Sequence, residues 1–146
     1  MKSKRYLEDE LDRQLMARKP FVLYKRQYRF HPHRMWKFDF CFPQFMLGVE
    51  VNGGIWSPRN NDHTRGSGVQ EDYEKLSEAA LLGYLVFQFS EKMIFKAWAF
   101  TIIDDFIKIR EGSKTHAERV QRQIQFSEHL LFKKKVKKTI PTFGPR

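Results

Sequence analysis

The sequence predicts a single α/β domain with a mixed central sheet, and three features of the chain predict it. Residues 36–42 and 45–52 alternate apolar side chains with others, which is the period of β-strands. Residues 3–18 carry leucines four positions apart, the spacing of one helix face. A helical pattern over 69–82 separates these strands from a further apolar segment, and a strand–helix–strand order predicts a parallel neighbour with a right-handed crossover. We therefore expect a three-strand meander plus one parallel strand, flanked by helices.

The first helix has Ser3 as its expected N-cap. Its buried stripe is formed by Leu7, Leu11 and Leu15. At about 100° per residue, Glu8 lies closest to this stripe among the acids of these turns. The alternative is a solvated acidic face, which the dipole at a helix N-terminus favours.

The meander is expected to use strands at 25–31, 36–42 and 45–52, with Pro43 and Gln44 as a two-residue turn. That turn pairs Phe42 with Phe45, Asp39 with Gly48, and Lys37 with Glu50. The alternation then places four aromatic side chains on one face: Trp36, Phe38, Phe40 and Phe42. It places Lys37, Asp39, Glu50 and Asn52 on the other.

Asp39 and Glu50 are the notable residues of that second face. Two carboxylates on one face of an otherwise apolar hairpin are costly unless something binds them. Mg²⁺ prefers carboxylate oxygens and keeps several waters, so it is the natural candidate. Two solvated acids on an exposed face are the alternative.

The rest of the chain is expected to form a loop, three further helices and a strand. The expected elements are a loop at 53–68, a helix at 69–82, a strand at 84–89, and helices at 94–110 and 116–132. In the 69–82 helix, the expected buried row is Val69, Tyr73, Leu76 and Ala80, and a second row holds Asp72, Lys75, Ala79 and Leu82. In the 94–110 helix, the expected inward residues are Ile94, Ala97, Trp98, Ile102 and Phe106. We expect a domain over 1–132 and a basic tail over 133–146.

Charge indicates the partner. The 146 residues contain 27 Lys and Arg against 17 Asp and Glu, a formal net charge of +10. Such a balance predicts binding to a polyanion, most simply DNA. A membrane-surface role is the competing idea and is disfavoured, because no basic amphipathic helix stands apart from the core elements. No apolar run is long enough to span a bilayer, so we expect no membrane partner. The single cysteine, Cys41, and the absence of a signal peptide predict a cytoplasmic protein.

Several motifs add a resemblance. The segments Trp36–Asp39, Val49–Trp56, His63–Gly68 and Asp72–Lys75, followed by Gly83–Phe89, resemble the PD-(D/E)XK nuclease superfamily over roughly residues 5–110. They are most similar to small phage and prophage endonuclease-like proteins, related to very-short-patch repair endonucleases and Holliday junction resolvases. The resemblance implies a restriction-endonuclease-like fold and a Mg²⁺-dependent nuclease, with Mn²⁺ able to substitute.

The resemblance also implies site residues. Asp39 and Glu50 would be catalytic and hold the metal, with Glu8 of the first helix as a further ligand. His63 would belong to the active region. The superfamily usually has lysine where this chain has Asn52, so another lysine must replace it, and we favour Lys75 over Lys37.

Basic residues interleaved with aromatics predict the DNA-binding surface. The stretch from residue 18 to residue 37 contains no acid. The expected DNA contacts are Arg26, Arg29, Arg34 and Lys37 in or near this stretch, Arg65 in the loop, and Lys133, Lys134 and Lys135 in the tail.

The function expected is therefore a structure-selective DNA endonuclease acting on branched DNA, resembling Holliday junction resolvases. A mismatch or nicking endonuclease is one alternative, and a non-catalytic DNA-binding protein on a decayed nuclease fold is another. A junction has two strands to cut, so we expect a homodimer. Its interface would use Ile124, Leu130 and Leu131 of the last helix.

Overall fold

The computed structural model describes residues 2–53 and 62–139. The chain divides into two compact units, the first ending at Ile103 and the second beginning at Asp104. The helices are α1 (Lys4–Met16), α2 (Asp62–Leu81), α3 (Glu91–Phe95), α4 (Trp98–Glu111) and α5 (His116–Thr139). The strands are β1 (Lys25–Arg29), β2 (Lys37–Phe42), β3 (Leu47–Asn52) and β4 (Leu85–Ser90).

A four-stranded mixed sheet organises the first unit. Its order is β1-β2-β3-β4, with β1, β2 and β3 antiparallel and β4 parallel to β3. Helix α1 packs against β3 and α3, and α2 packs against β4. The predicted α/β fold, with its three-strand meander and parallel fourth strand, is confirmed.

Helix α1 forms as its sequence predicts. Ser3 Oγ accepts a hydrogen bond from the Tyr6 amide at 3.2 Å, which caps the helix. Leu7, Leu11 and Leu15 are buried at 0%, 0% and 3% exposure, so the leucine stripe is the face that meets the core.

The turn between β2 and β3 is longer than predicted. Pro43–Phe45 forms a 3₁₀ turn, and Met46 closes it in the left-handed region at φ 50°, with its amide donating to the Pro43 carbonyl. Phe42 therefore pairs with Leu47 and Cys41 with Gly48. The predicted register is wrong by two residues on β3, and the pairing of Lys37 with Glu50 is lost.

The four aromatic residues predicted to share one face, Trp36 and three of β2, do not share it. Phe38 clusters with Trp36 and Cys41, whereas Tyr24 packs on Phe40 and on Phe42. Positions 38 and 41 share a cluster only if the alternation of side chains shifts by one residue between them.

Gln27 on β1 marks this irregularity. It lies between the registered pairs Arg26–Phe40 and Tyr28–Phe38, and its φ is 50°. A non-glycine residue with a positive φ is uncommon and indicates a local break in strand regularity.

Helix α2 begins earlier and faces the sheet differently than predicted. It starts at Asp62, so residues 62–68 are not loop. The cost of Gly66 and Gly68 is about 1 kcal/mol each, which the rest of the helix outweighs. Val69 and Tyr73 are 44% and 64% exposed, whereas Ala79 is fully buried. In the second row Ala79 is buried and Lys75 is half-buried, while Asp72 and Leu82 are exposed, so the middle of this row is the part that faces inward.

Two further boundaries differ from prediction. Ala97, at φ 55°, breaks the single helix expected over 94–110 into α3 and α4, and the break leaves Trp98 49% exposed rather than buried.

Helix α5 continues to Thr139, because lysine is a good helix former. The predicted helix end at 132 is wrong, while the division into a domain and a basic tail stays a prediction. Within the described ranges, no helix has both the length and the apolar character needed to cross a bilayer.

Gly48 tests the packing of this sheet. A Cβ at Gly48 would lie 2.7 Å from ring atoms of Phe38. That ring is fully buried and is stacked on Phe30 at 4.0 Å between centroids. We expect Gly48→Ala to lower the free energy of unfolding by about 1–3 kcal/mol, because the ring must shift. Urea denaturation measures this.

Gly66→Ala is the matched control. A Cβ there meets nothing within 4 Å, so this variant should gain about 0.5–1 kcal/mol of stability from the better helix former. Equal effects of the two substitutions would contradict the packing described here.

Candidate active site

The candidate site lies where β2 and β3 stop pairing. Their registered pairs end at Phe40 and Val49. Beyond that point the Val51 amide donates to Asp39 Oδ2 at 2.7 Å instead of to a strand carbonyl. Asp39 is only 4% exposed, so this backbone bond fixes a buried carboxylate in the opening between the strands.

A second carboxylate lies beside Asp39. Glu8, 7% exposed, faces the sheet from α1. The side-chain amide of Gln27 donates to Glu8 Oε2 at 3.1 Å and reaches Asp39 Oδ1 at 3.5 Å. Lys4 Nζ lies 3.1 Å from Asp39 Oδ2. Burial raises the pKa of Glu8, and the neighbouring Asp39 raises it further.

Glu50 is held by Lys75. The ammonium of Lys75 donates to Glu50 Oε1 and, at 2.7 Å, to the backbone carbonyl of Lys37. The two side chains of the pair are 18% and 13% exposed. Burial raises the pKa of Glu50, Lys75 opposes that rise, and the charge of Asp39 adds to it. The inward row of α2 therefore brings a cation to the carboxylate of β3.

A cavity of about 220 Å³ opens beside this pair. Its lining consists of Glu50, Asn52, Asp72, Lys75, Leu76 and Gln88. Asn52 Nδ2 donates to Gln88 Oε1 at 3.0 Å. The cavity lies at the carboxyl ends of the parallel strands β3 and β4, the edge at which open α/β sheets bind ligands.

The predicted DNA contacts are placed in different surroundings. Arg26 lies among the acids of α1, with Nη2 3.0 Å from Asp9 and Nη1 3.5 Å from Asp12. Arg34 stacks over Trp36 at 4.1 Å. Arg29 Nε donates to the Arg34 carbonyl at 3.1 Å. Lys37 is exposed at the start of β2. Among the contacts described, neither Lys37 nor Arg29 has an acidic side chain beside it, whereas Arg26 and Arg34 do.

Five predicted residues lie partly outside what the structure describes. His63 and Arg65 belong to the first turns of α2, and Lys133, Lys134 and Lys135 belong to α5. Their side chains fall outside the described positions, so their assigned roles stay predictions.

The carboxylate oxygens of Asp39 and Glu50 are the kind of ligand that a hard cation prefers. They do not by themselves complete a coordination shell. Among the residues described, no group of three or more His, Cys, Asp or Glu is placed to hold a metal ion. The charge of Asp39 nevertheless contributes to the raised pKa of Glu50, after burial. One or two carboxylates suffice for Mg²⁺, which takes its remaining ligands from water and substrate phosphate.

Sequence reasoning missed two residues of the site. Lys4 lies one helical turn before Glu8, so the spacing of i and i+4 on α1 was the signal that could have found it. Gln27 gave no signal, because its position depends on the positive φ it adopts in β1.

Comparisons with known proteins give one similar structure. No family model matches the chain, and no curated protein matches it. The chain is similar to a solved structure described as "Homing Endonuclease I-Bth0305I Catalytic Domain", with 22% identity and a TM-score of 0.46. The similarity covers 64% of this chain and 84% of that one.

Lys75→Met tests the Glu50–Lys75 pair as a stability element. Without the ammonium, the pKa of Glu50 rises further, so the folded state holds a proton that the unfolded state releases at lower pH. The wild-type protein itself loses stability as pH rises from the ordinary glutamate pKa of 4.5 through the raised pKa of Glu50. The variant's additional loss should grow as pH rises from that raised pKa through the variant's still higher pKa, and should then level off. We expect a loss of roughly 1–3 kcal/mol at pH 8, less than for a fully buried pair because both side chains keep some contact with water.

The measurement is urea denaturation at pH 5 and pH 8 with EDTA present. Arg13→Met is the control, since it removes a surface pair with Glu10, whose pKa lies below its ordinary value. Glu10 is ionised throughout this range, so the control should show no pH-dependent difference from wild type. A pH-independent effect of Lys75→Met would contradict the pairing.

Proposed function

We propose that this protein is a divalent-metal-dependent DNA endonuclease that hydrolyses phosphodiester bonds. One observation carries the proposal most: Glu50 is paired with Lys75 next to a buried Asp39, at the open carboxyl end of β3. Two acids can hold a metal ion for phosphate hydrolysis, and an ammonium can stabilise the charge that develops on the phosphate. The motifs that resemble the PD-(D/E)XK superfamily include these three residues.

Asp39 and Glu50 would hold the metal ion, and the charge of Asp39 adds to the raised pKa of the neighbouring Glu8. Burial that raises the pKa of Glu8 and Glu50 also makes a cation beside them favourable, since it stabilises their ionised forms. Mg²⁺ fits this oxygen donor set, and Mn²⁺ shares the preference. When bound, the metal supplies positive charge towards the phosphate and a water of lowered pKa.

Lys75 would replace the lysine that Asn52 displaces from its usual position. An ammonium has three N–H donors, and the two described bonds, to Glu50 and to the Lys37 carbonyl, use two of them. The third donor can bind a phosphate oxygen or orient the attacking water. Asn52 lines the same cavity and offers an amide oxygen without charge.

Branched DNA is the substrate we propose, recognised by a cationic surface. The net charge of +10 supplies the electrostatic attraction. A homodimer would present two sites to two strands, with α5 as its interface, where Val120 and Ile124 are 44% and 47% exposed.

Asp39→Asn and Glu50→Gln test the chemistry. Each neutral amide removes a negative charge from the proposed metal site, so single-turnover cleavage of four-way, nicked and linear DNA at saturating Mg²⁺ should fall by roughly 10²-fold or more. Lys75→Ala should fall similarly, while DNA affinity stays near that of the wild type.

Glu10→Gln is the control for loss of an acid on the surface of α1, and it should cleave at the wild-type rate. Full activity of the Asp39 or Glu50 variant would refute the site. Binding without cleavage by the wild-type protein would favour the non-catalytic DNA-binding alternative.

The salt dependence of binding tests the cationic surface. Affinity for duplex DNA should fall linearly in a log–log plot against salt, with a slope near −0.9 per phosphate neutralised. Lys37→Gln should make that slope shallower by about 0.9, because one exposed contact is lost, whereas Lys37→Arg should keep it. A slope of zero for the wild type would mean that phosphates are not what it binds.

A further inference from the structure

Three aromatic rings stand exposed on one part of the first unit. Tyr6 of α1, Phe95 of α3 and Trp98 at the start of α4 are 48%, 44% and 49% exposed. The rings of Tyr6 and Phe95 lie 6.1 Å apart, inclined at 43°. Exposed aromatic groups that adjoin one another commonly mark a binding surface.

Lysines stand over these rings. Lys2 Nζ lies 5.0 Å from the centroid of Tyr6, and Lys92 and Lys96 lie 5.9 and 5.5 Å from the centroid of Trp98. We call Lys2, Tyr6, Lys92, Phe95, Lys96 and Trp98 the aromatic–lysine patch. The segments that form it are basic, since residues 2–6 contain no acid and residues 91–98 contain only Glu91.

The patch lies at the same end of the sheet as the candidate active site. Helix α1 carries both Tyr6 and Lys4, and Lys4 contacts Asp39. Helix α3 begins directly after β4, whose last residue, Ser90, pairs with Asn52. A strand bound at the cavity of Glu50 would therefore have the patch beside it.

We propose that the aromatic–lysine patch binds unpaired nucleobases of a single-stranded DNA segment. Every base has a π-face that can stack on an aromatic ring, and an ammonium beside the ring can meet the phosphate of the same nucleotide. Bases inside a duplex are already stacked on each other, so only unpaired ones offer that face. The lysines select a polyanion over an apolar partner by charge complementarity.

The link between the patch and cleavage rests on the proposed function. If that function holds, the patch narrows the proposed substrate from branched DNA in general to branched DNA with unpaired bases. Branched DNA that carries a single-stranded arm, such as a flap or a splayed fork, would place its unpaired arm on the patch and its junction at the cavity. Fully paired duplex would use the cationic surface alone.

The test replaces the rings and keeps their apolar character. Tyr6→Leu/Phe95→Leu and Trp98→Leu remove the π-faces and leave the lysines in place. Binding to a labelled oligothymidine should weaken about tenfold or more for each variant, while affinity for duplex of the same length stays unchanged. Phe21→Leu is the control, since Phe21 is 51% exposed but lies outside the patch.

Binding is measured by fluorescence anisotropy in EDTA, so its outcome does not depend on cleavage. Wild-type affinity for the oligonucleotide in both ring variants would overturn the proposal. Equal loss for single-stranded and duplex DNA would overturn it too, as would a change confined to the self-association of the protein. A nuclease proposal refuted by the Asp39 and Glu50 variants would leave these binding results standing on their own.

Discussion

The hydrogen bond from the Val51 amide to the Asp39 carboxylate is the constraint on which the site depends. An antiparallel ladder normally satisfies such an amide with a strand carbonyl, and a buried amide left unpaired is costly. Here the carboxylate takes that place at 2.7 Å, so the two strands can separate beyond Phe40 and Val49 without an orphaned donor. The opening that results is where Glu8, Gln27 and Lys4 gather around Asp39.

Ion pairs connect helices α1 and α2 to the buried carboxylates of the sheet. Buried carboxylates are tolerated only with compensating charge or hydrogen bonds. Lys4 of α1 supplies that charge to Asp39, and Lys75 of α2 supplies it to Glu50. Because α2 presents Lys75 and Ala79 to the sheet, three of its larger apolar residues, Val69, Tyr73 and Leu81, stay exposed. The helix orientation thus follows from the ion pair and the small size of Ala79 more than from apolar area.

The sequence was a good guide where periodicity is regular and a poor one where it breaks. The leucine stripe of α1, the strand order and the candidate acids on β2 and β3 follow from spacing alone. The four-residue connection at Pro43–Met46, the positive φ of Gln27 and the break at Ala97 do not, because each is a left-handed conformation of a non-glycine residue. Positive φ values at non-glycine residues are set by tertiary packing. They determine which side chains reach the candidate active site, and they leave others, such as Trp98, outside the core.

The central claim is that the carboxylates of Asp39 and Glu50 together bind a divalent cation. Isothermal titration calorimetry of Mn²⁺ into the metal-free protein, without DNA, tests it most directly. The account predicts saturable binding that is lost in both Asp39→Asn and Glu50→Gln and retained in Glu10→Gln. Binding of equal affinity in all four proteins would contradict it, because the metal would then be held elsewhere.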